Sequence, residues 1–263
     1  MPGQLGITGQ LGIKSVAVVM PAHNEEQHIG KALVALKAAA DALHRERQGM
    51  EARIVVVLDA CSDRSAEIAA AHTSGDNRFS VVNVKLKSTG ASRDFGFRQA
   101  LKSLPAHDAA TTWLATTDAD STVPRHWLTR QVELANAGAD ALLGSVEPDP
   151  ADMDPAVHGR WMELHPFRED HQHIYGANLG IRASAYLSAG GFPGLRAHED
   201  RVLVERLRNQ GFTVTATDSI RVVTSGRTHS RAPEGFAAYL RSLATALPTT
   251  ELPTTELPAP AGS

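Results

Sequence analysis

The chain has 263 residues, of which 42% are hydrophobic and 21% charged, an ordinary composition for a globular protein with a substantial core. Its formal net charge is -3, so no overall basic field favours nucleic acid as a partner. The single cysteine, Cys61, excludes an intramolecular disulfide and predicts a reducing, cytoplasmic location. No run approaches the roughly 20 apolar residues of a transmembrane segment, and no signal peptide is recognisable.

Two short β-branched runs near the start predict parallel strands of a buried sheet. The first covers residues 15–20 and breaks at Pro21, and the second covers residues 53–58 and ends at Asp59. A helical pattern follows each run, which predicts an α/β fold with right-handed crossovers. Polar turn residues after both strands should meet at one edge of the sheet, where α/β proteins bind ligands.

A later apolar run, residues 112–117, ends in two aspartates, Asp118 and Asp120. Side chains two positions apart on an extended chain point to the same side. Both carboxylates can therefore face one cation, and oxygen ligands are those that Mg²⁺ and Mn²⁺ prefer. A strand exit followed by a helix cap explains the same residues without a metal. The polar clusters after the two earlier strands favour the metal.

Predicted strands and helices alternate less regularly in the second half of the chain. It contains a predicted helix at about residues 125–137, a predicted strand at 140–146, and a predicted helix after Asp200. The irregular segment 149–173 is rich in Pro, Asp and His. Because long irregular segments in compact domains are often lids, we interpret it as covering the substrate, with a short helix near 157–164.

Both ends of the chain are of low complexity. Gly-Gln-Leu-Gly-Ile occurs from Gly3 and again from Gly9, and Thr-Thr-Glu-Leu-Pro occurs from Thr249 and again from Thr254. Such segments bury too little apolar surface to offset chain entropy. We predict a flexible segment over residues 1–14 and a disordered tail over 247–263. For the tail, a linker to a partner is the alternative.

Six short motifs occur in a characteristic order. They are Pro21-Ala22-His23-Asn24-Glu25, Asp59-Ala60-Cys61-Ser62-Asp63, Gly90-Ala91-Ser92-Arg93-Asp94, Asp118-Ala119-Asp120, Gly176-Ala177-Asn178-Leu179-Gly180 and His198-Glu199-Asp200. Together they resemble the family 2 glycosyltransferases, which have the nucleotide-sugar-binding GT-A fold. The resemblance runs from about residue 14 to about residue 245. In the third motif the family usually has Asn where this chain has Asp94.

The resemblance implies one GT-A domain over residues 15–246, with a mostly parallel central sheet flanked by helices. It further implies a nucleotide-binding half over 15–120 and an acceptor half over 121–246. The residues implied to bind the nucleotide are Pro21, Ala22, Asn24, Glu25, Asp59, Asp63, Arg93 and Asp118. Helix capping is the alternative explanation for Asn24 and Asp63, and a surface position on a helix is the alternative for Arg93.

The resemblance also implies a metal site and a catalytic base. Asp118 and Asp120 would hold Mg²⁺ or Mn²⁺, with His229 as a third ligand. Asp200 is the candidate general base, with Glu199 beside it. The alternative is that both acids stabilise the first turn of a helix through its dipole. The acceptor side of the site would contain Gly176, Ala177 and Asn178.

The resemblance therefore implies a metal-dependent glycosyltransferase that moves a sugar from a nucleoside-diphosphate sugar to an unknown acceptor with inversion. A UDP-sugar donor is favoured, and a GDP-sugar is possible. Two alternatives remain open: a retaining GT-A enzyme acting on a small phosphorylated acceptor, and a non-catalytic nucleotide-sugar-binding protein. A dinucleotide-dependent oxidoreductase would need G-x-G-x-x-G after the first strand. A sugar nucleotidyltransferase would have a glycine-rich loop there, and residues 21–26 provide neither.

Overall fold

A computed structural model describes residues 11–104, 108–195, 198–228 and 236–245. Residues 1–10 and the predicted tail, 247–263, lie outside the described residues. The chain divides into two compact units. The larger comprises Met1–Asp149 and Pro166–Ser225, and the smaller comprises Pro150–His165 and Gly226–Ser263.

The larger unit is built on one sheet. Its strands among the described residues are β1 (Ser15–Ala22), β2 (Glu51–Asp59), β3 (Phe79–Val84), β4 (Thr112–Thr116), β5 (Ser121–Thr122), β6 (Ala141–Pro148), β7 (Leu179–Arg182) and β8 (Val214–Thr224). The order across the sheet is β3-β2-β1-β4-β7-β6-β8-β5. Strands β3, β2, β1 and β4 are parallel neighbours, as are β6 and β8. β7 runs antiparallel to β4 and β6, and β5 runs antiparallel to β8. The predicted α/β fold with a mostly parallel sheet is confirmed.

Helices cover both faces of this sheet, which explains why its strands read as continuous apolar runs. The helices of the larger unit are α1 (Ile29–Glu46), α2 (Ser65–Thr73), α3 (Thr89–Ser103), α4 (Trp127–Asn136), α6 (Ala183–Ser188) and α7 (Glu199–Asn209). Alternate residues of β1 enter two separate cores: Val18 packs with residues of α1 and α4, whereas Val19 packs with residues of α3 and α7. Helix α3 lies so close to β1 that a Cβ on Gly96 would stand 2.5 Å from Val19 Cγ1.

The chain is already tied to the larger unit before β1 begins. Ile13 is buried, and its N–H donates to Asn136 Oδ1 at 2.8 Å. The Lys14 N–H donates to the Thr111 carbonyl at 2.8 Å. Both residues fall in the segment 1–14, for which the sequence predicted flexibility. These contacts fix Ile13 and Lys14 to the larger unit ahead of β1.

The smaller unit contains two helices among its described residues, α5 (Pro155–Leu164) and α8 (Phe236–Thr245). The Asp154 side chain caps α5, which includes the short helix predicted near residues 157–164. The His165 ring stacks on Trp161 at 4.6 Å between centroids and meets Tyr239 edge-on at 5.4 Å, joining the two helices. Within the described parts of the chain, no helix combines the length and apolar character needed to cross a membrane.

Candidate active site

The turns after β1 and β2 are cross-linked by their polar side chains. Asn24 adopts a left-handed backbone conformation, with φ of 54°, and its Oδ1 accepts hydrogen bonds from the N–H groups of Ser62 and Asp63 at 2.6 and 3.3 Å. In return, Asp63 Oδ2 accepts from the Glu26 N–H, and Asp63 Oδ1 accepts from the Ser65 N–H at the start of α2. Two turns predicted to bind the nucleotide thus hold each other in place.

The remaining predicted residues of these turns are mostly buried. Pro21 and Ala22 end β1 with their side chains inside the unit, and the Glu25 N–H donates to the buried Ser65 hydroxyl at 2.7 Å. Cys61 lies between the turns, where its thiol donates to the Ala22 carbonyl. Burial raises the pKa of this thiol, which opposes thiolate formation and supports its interpretation as a loop residue.

Asp59, at the end of β2, organises the loop that leads into α3. Its carboxylate accepts hydrogen bonds from the N–H groups of Leu86, Lys87 and Ser88, at 2.7, 2.9 and 3.1 Å. The buried Ser92 hydroxyl donates a fourth, at 3.0 Å. Burial alone would raise the pKa of Asp59, but these four donors outweigh it and the pKa lies below its usual value. The carboxylate is therefore charged at neutral pH and fixes residues 86–92.

Replacing Asp59 with Asn should destabilise the protein by about 2–3 kcal/mol at pH 7, since an amide NH₂ would face groups that donate hydrogen bonds. Because the folded-state pKa is lowered, the stabilisation is complete above the unfolded pKa of about 3.9 and is lost as the pH falls through the folded pKa. The difference in unfolding free energy between wild type and Asp59→Asn should be constant from about pH 5 to 7 and shrink below about pH 4. Denaturant unfolding at a series of pH values measures it.

The exposed Asp108 provides a matched control, because its side chain caps a short 3₁₀ helix and accepts a hydrogen bond from the Ala110 N–H. Asn caps helices about as well as Asp, so Asp108→Asn should change stability little. Equal losses in Asp59→Asn and Asp108→Asn, or a difference that persists unchanged at low pH, would contradict the role given to Asp59.

Arg93, in α3, is buried between two carboxylates that come from distant parts of the sequence. Its Nη2 donates to Asp118 Oδ1 at 2.6 Å, and its Nη1 donates to Glu199 Oε1 at 2.5 Å. Arg93 is 3% exposed and Glu199 is 7% exposed. Burial alone would lower the pKa of Arg93, but Asp118, Glu199 and Asp200 together raise it, so the guanidinium stays charged. The third, fourth and sixth motifs meet at this one side chain.

The aspartates of the predicted metal motif follow β4 directly. Arg93 contacts one oxygen of Asp118, and the Asp118 side chain keeps 31% of its surface exposed. Asp120 Oδ1 accepts hydrogen bonds from the Ser121 and Thr224 hydroxyls, both at 3.3 Å. These contacts fix Asp120 where β5 and β8 pair.

The two aspartates match the oxygen chemistry that Mg²⁺ and Mn²⁺ prefer, and neither is buried. No group of three or more His, Cys, Asp and Glu side chains within the described residues is arranged to hold a metal unaided. A pair of carboxylates that relies on substrate phosphate oxygens for further ligands is usual for Mg²⁺. His229, the predicted third ligand, lies outside the described residues.

Asp200 is held beside the predicted acceptor segment. Its Oδ2 accepts a hydrogen bond from the Gly176 N–H at 2.8 Å, and its Oδ1 accepts from the Arg201 N–H at 2.8 Å. Asp200 is partly exposed, whereas its neighbour Glu199 is buried against Arg93. The two acids of the sixth motif therefore differ in kind: Asp200 remains accessible, and Glu199 anchors the first turn of α7.

The predicted acceptor-side residues also differ in exposure. Ala177 is partly exposed, but Asn178 is completely buried. Asn178 Oδ1 accepts from the Trp127 indole N–H at 2.9 Å, and its Nδ2 donates to the Ser145 and Ile220 carbonyls at 2.8 and 2.7 Å. The Asn178 side chain thus links α4, β6 and β8 beneath the site.

Asp94, where the resembled family usually has Asn, faces away from Arg93. Its carboxylate accepts hydrogen bonds from Arg98 Nε at 2.7 Å and from the Tyr186 hydroxyl at 2.8 Å. The extra negative charge is therefore neutralised locally by Arg98, one turn along α3.

The chain is similar to known transferases. A transferase for undecaprenyl-phosphate 4-deoxy-4-formamido-L-arabinose from Edwardsiella ictaluri (strain 93-146) is 34% identical over 142 residues. That match covers 53% of this chain and 39% of the relative, so the chain spans well under half of the relative's length.

Two solved structures share the fold. The mannosyltransferase PcManGT from Pyrobaculum calidifontis, solved with GDP-Man and Mn²⁺, matches with a TM-score of 0.61 and 17% identity, over 92% of this chain and 64% of its own. A mycobacterial protein matches with a TM-score of 0.51 and 16% identity, over 88% of this chain and 73% of its own. The predicted GT-A fold is thereby confirmed.

The family model called Glycosyl transferase family 2 matches residues 17–192, more than half of the chain. The matched range contains the turns after β1 and β2, Arg93, both aspartates of the metal motif and the Gly176 segment. The chain therefore belongs to glycosyl transferase family 2.

Proposed function

We propose that this protein transfers a sugar from a nucleoside-diphosphate sugar by direct displacement, with a divalent cation at Asp118 and Asp120 and with Asp200 as general base. The observation that carries the proposal is the meeting of the metal motif and the Glu199-Asp200 pair at Arg93, across 25 and 106 residues of sequence. A donor site and a base must lie close together for displacement to occur.

The nucleotide would occupy the edge of the sheet where β1 and β2 end. The interlocked turns offer fixed polar groups from Asn24 and Asp63, with the buried Asp59, Pro21 and Ala22 beneath them. Preorganised groups bind with less loss of conformational entropy. A UDP-sugar or a GDP-sugar is the donor class, and GDP-Man in the similar mannosyltransferase makes the guanine nucleotide a candidate equal to the uracil one.

When bound, Mg²⁺ or Mn²⁺ would act as a Lewis acid and offset the negative charge that develops on the departing diphosphate. Asp118 and Asp120 would hold it, with His229 as a candidate third ligand. The Ser121 and Thr224 hydroxyls orient the Asp120 carboxylate, and Arg93 orients that of Asp118.

Asp200 would take the proton of the acceptor hydroxyl. Hydrogen bonds from the Gly176 and Arg201 N–H groups fix its carboxylate, and its partial exposure leaves room for an acceptor. A carboxylate held within hydrogen-bond reach is a suitable general base, and attack on the face opposite the leaving group inverts the anomeric centre. Gly176 and Ala177 would line the acceptor side.

A thermal-shift screen of UDP- and GDP-sugars, with Mn²⁺ or with EDTA, tests the donor and metal assignments. A ligand that binds only the folded state adds about 2.7 kcal/mol of stability at a hundredfold excess over its Kd. We expect one nucleotide class to raise the Tm in Mn²⁺ and to have little effect in EDTA. The absence of a shift with every donor would reject the nucleotide-sugar site.

Turnover of the best donor then separates the remaining alternatives. A polyprenyl phosphate belongs among the acceptors tested, because undecaprenyl phosphate appears in the name of the curated relative. NMR of the product gives the anomeric configuration: inversion supports direct displacement, and retention would replace it with the retaining alternative. Donor binding without release of nucleoside diphosphate would indicate a non-catalytic binding protein.

A further inference from the structure

We infer that Arg93 is a positioning residue that couples the metal carboxylate Asp118 to helix α7, and through Glu199 sets the place of Asp200. This inference rests on the proposed function, since it connects the proposed metal ligand to the proposed general base. It also gives Glu199 a role different from the base beside it.

The first support is that the Arg93 guanidinium bridges two carboxylates. One guanidinium spans Asp118 and Glu199, with a separate nitrogen for each carboxylate. Arginine presents its donors in a rigid planar fork, so two partners held by one guanidinium cannot move independently. A lysine at this position would offer one point charge and could hold only one of the two in the same way.

The second support is that the surrounding backbone is shaped around this ion group. A Cβ on Gly176 would stand 2.4 Å from Arg93 Nη1, and a Cβ on Gly90 would stand 2.7 Å from Glu199 Cγ. The Phe192 ring lies 5.7 Å from the Arg93 guanidinium carbon. Arg93 therefore has little freedom to release either carboxylate.

The third support is the short path from Glu199 to the base. Glu199 and Asp200 are the first two residues of α7, and Asp200 in turn accepts the Gly176 N–H. Gly176 is also the residue whose backbone lies against Arg93. Arg93 consequently contacts both structures that define where the Asp200 carboxylate lies: the first turn of α7 and the Gly176 segment.

The two variants Glu199→Gln and Arg93→Met should separate the two ends of this connection. Glu199→Gln keeps the size of the side chain and leaves the Arg93–Asp118 pair intact. We expect its kcat to fall by about 10–100-fold, the range typical of residues that orient a ligand or base from behind. The Kd for nucleoside diphosphate with Mn²⁺ should stay within about threefold, because Glu199 is buried against Arg93 and is assigned no contact with the donor.

Arg93→Met should affect both ends, since Asp118 also loses its partner. We expect kcat to fall at least as far as in Glu199→Gln and nucleotide–Mn²⁺ affinity to fall as well. Arg93→Lys, which keeps the charge without the fork, should resemble Arg93→Met in kcat. Arg98→Met is the control: it removes an exposed arginine of the same helix, paired with Asp94, and should leave kcat and affinity unchanged.

The double variant Arg93→Met/Glu199→Gln decides the coupling. If Arg93 acts on Asp200 through Glu199, the double variant should be no slower than Arg93→Met alone, because the second change removes a connection already broken. Release of nucleoside diphosphate from the donor selected by thermal shift measures kcat, and Mn²⁺ electron paramagnetic resonance with UDP or GDP measures binding. Circular dichroism melting confirms that each variant is folded.

The inference would be overturned by multiplicative losses in the double variant, by wild-type kcat in Glu199→Gln, or by wild-type kcat in Arg93→Lys. Parallel losses of kcat and nucleotide affinity in Glu199→Gln would do the same, since they would indicate general disruption of the site. All of these leave wild-type binding and turnover intact, so they reject the coupling alone. A wild-type protein that neither binds nor turns over any nucleotide sugar would instead reject the proposed function.

Discussion

Asp200→Asn should lower kcat by about 10²–10⁴-fold, the range for loss of a general base. The substitution preserves the shape of the side chain, and the amide oxygen can still accept the Gly176 N–H that Asp200 accepts now. An amide cannot take the proton from an acceptor hydroxyl, so the loss falls on the chemical step. Donor affinity should stay within about threefold, because the base acts on the acceptor. Steady-state kinetics at saturating donor, with nucleotide binding measured separately, test this.

Glu205→Gln is the matched control, since Glu205 is exposed on the same helix, α7. It neutralises an acid without touching the site and should retain wild-type kcat. Suppose instead that Asp200→Asn loses donor binding while its rate at saturation is nearly unchanged. Asp200 would then serve the donor side, and the inverting displacement would lose its base.

Asp120→Ala should abolish the metal-dependent part of nucleotide binding. Even residues that only orient a metal ligand typically alter affinity by 10–100-fold, so removing a proposed ligand should raise the Kd in Mn²⁺ to at least that extent. The fold should survive, because the hydroxyl hydrogen bonds that Asp120 Oδ1 accepts from Ser121 and Thr224 are long and together worth about 1–2 kcal/mol. Calorimetric titration of UDP and GDP, in Mn²⁺ and in EDTA, measures the effect.

The control for Asp120→Ala is Glu133→Ala, which removes an exposed carboxylate on α4. It lowers the negative charge by the same amount and should leave both Kd values unchanged. Nucleotide binding in Mn²⁺ that is as tight in Asp120→Ala as in wild type would remove Asp118-Ala119-Asp120 from the metal site.

Local sequence patterns were sufficient for the three strands whose ends carry the polar turns and the paired aspartates. β1, β2 and β4 are continuous apolar runs because helices cover both faces of the sheet, and this buried pattern is readable without a structure. The neighbouring strands β3 and β7 are harder to recognise in the sequence. β3 has half-buried and exposed residues but no buried one, and β7 has only four residues. The antiparallel direction of β7 depends on its partners, which no local pattern records.

In the site, too, contacts between residues close in sequence differ from contacts that depend on the fold. The Asp94–Arg98 pair joins residues four apart on one helix, a spacing at which oppositely charged side chains meet. The Arg93 pairs with Asp118 and Glu199 span 25 and 106 residues and follow only from the folded chain. Asn178 shows the same effect, because its three buried hydrogen bonds reach α4, β6 and β8. Motifs indicated which residues matter, and the fold assigns each its contacts.

The most direct test of the metal-dependent nucleotide site is a crystal structure of the protein grown with Mn²⁺ and UDP or GDP, with diffraction data collected at the manganese absorption edge. The account predicts an anomalous peak from a manganese ion bound by the carboxylates of Asp118 and Asp120 and by diphosphate oxygens. The uracil or guanine ring of the nucleotide should lie beside the turns after β1 and β2. A nucleotide bound elsewhere, or a manganese peak away from both aspartates, would contradict it.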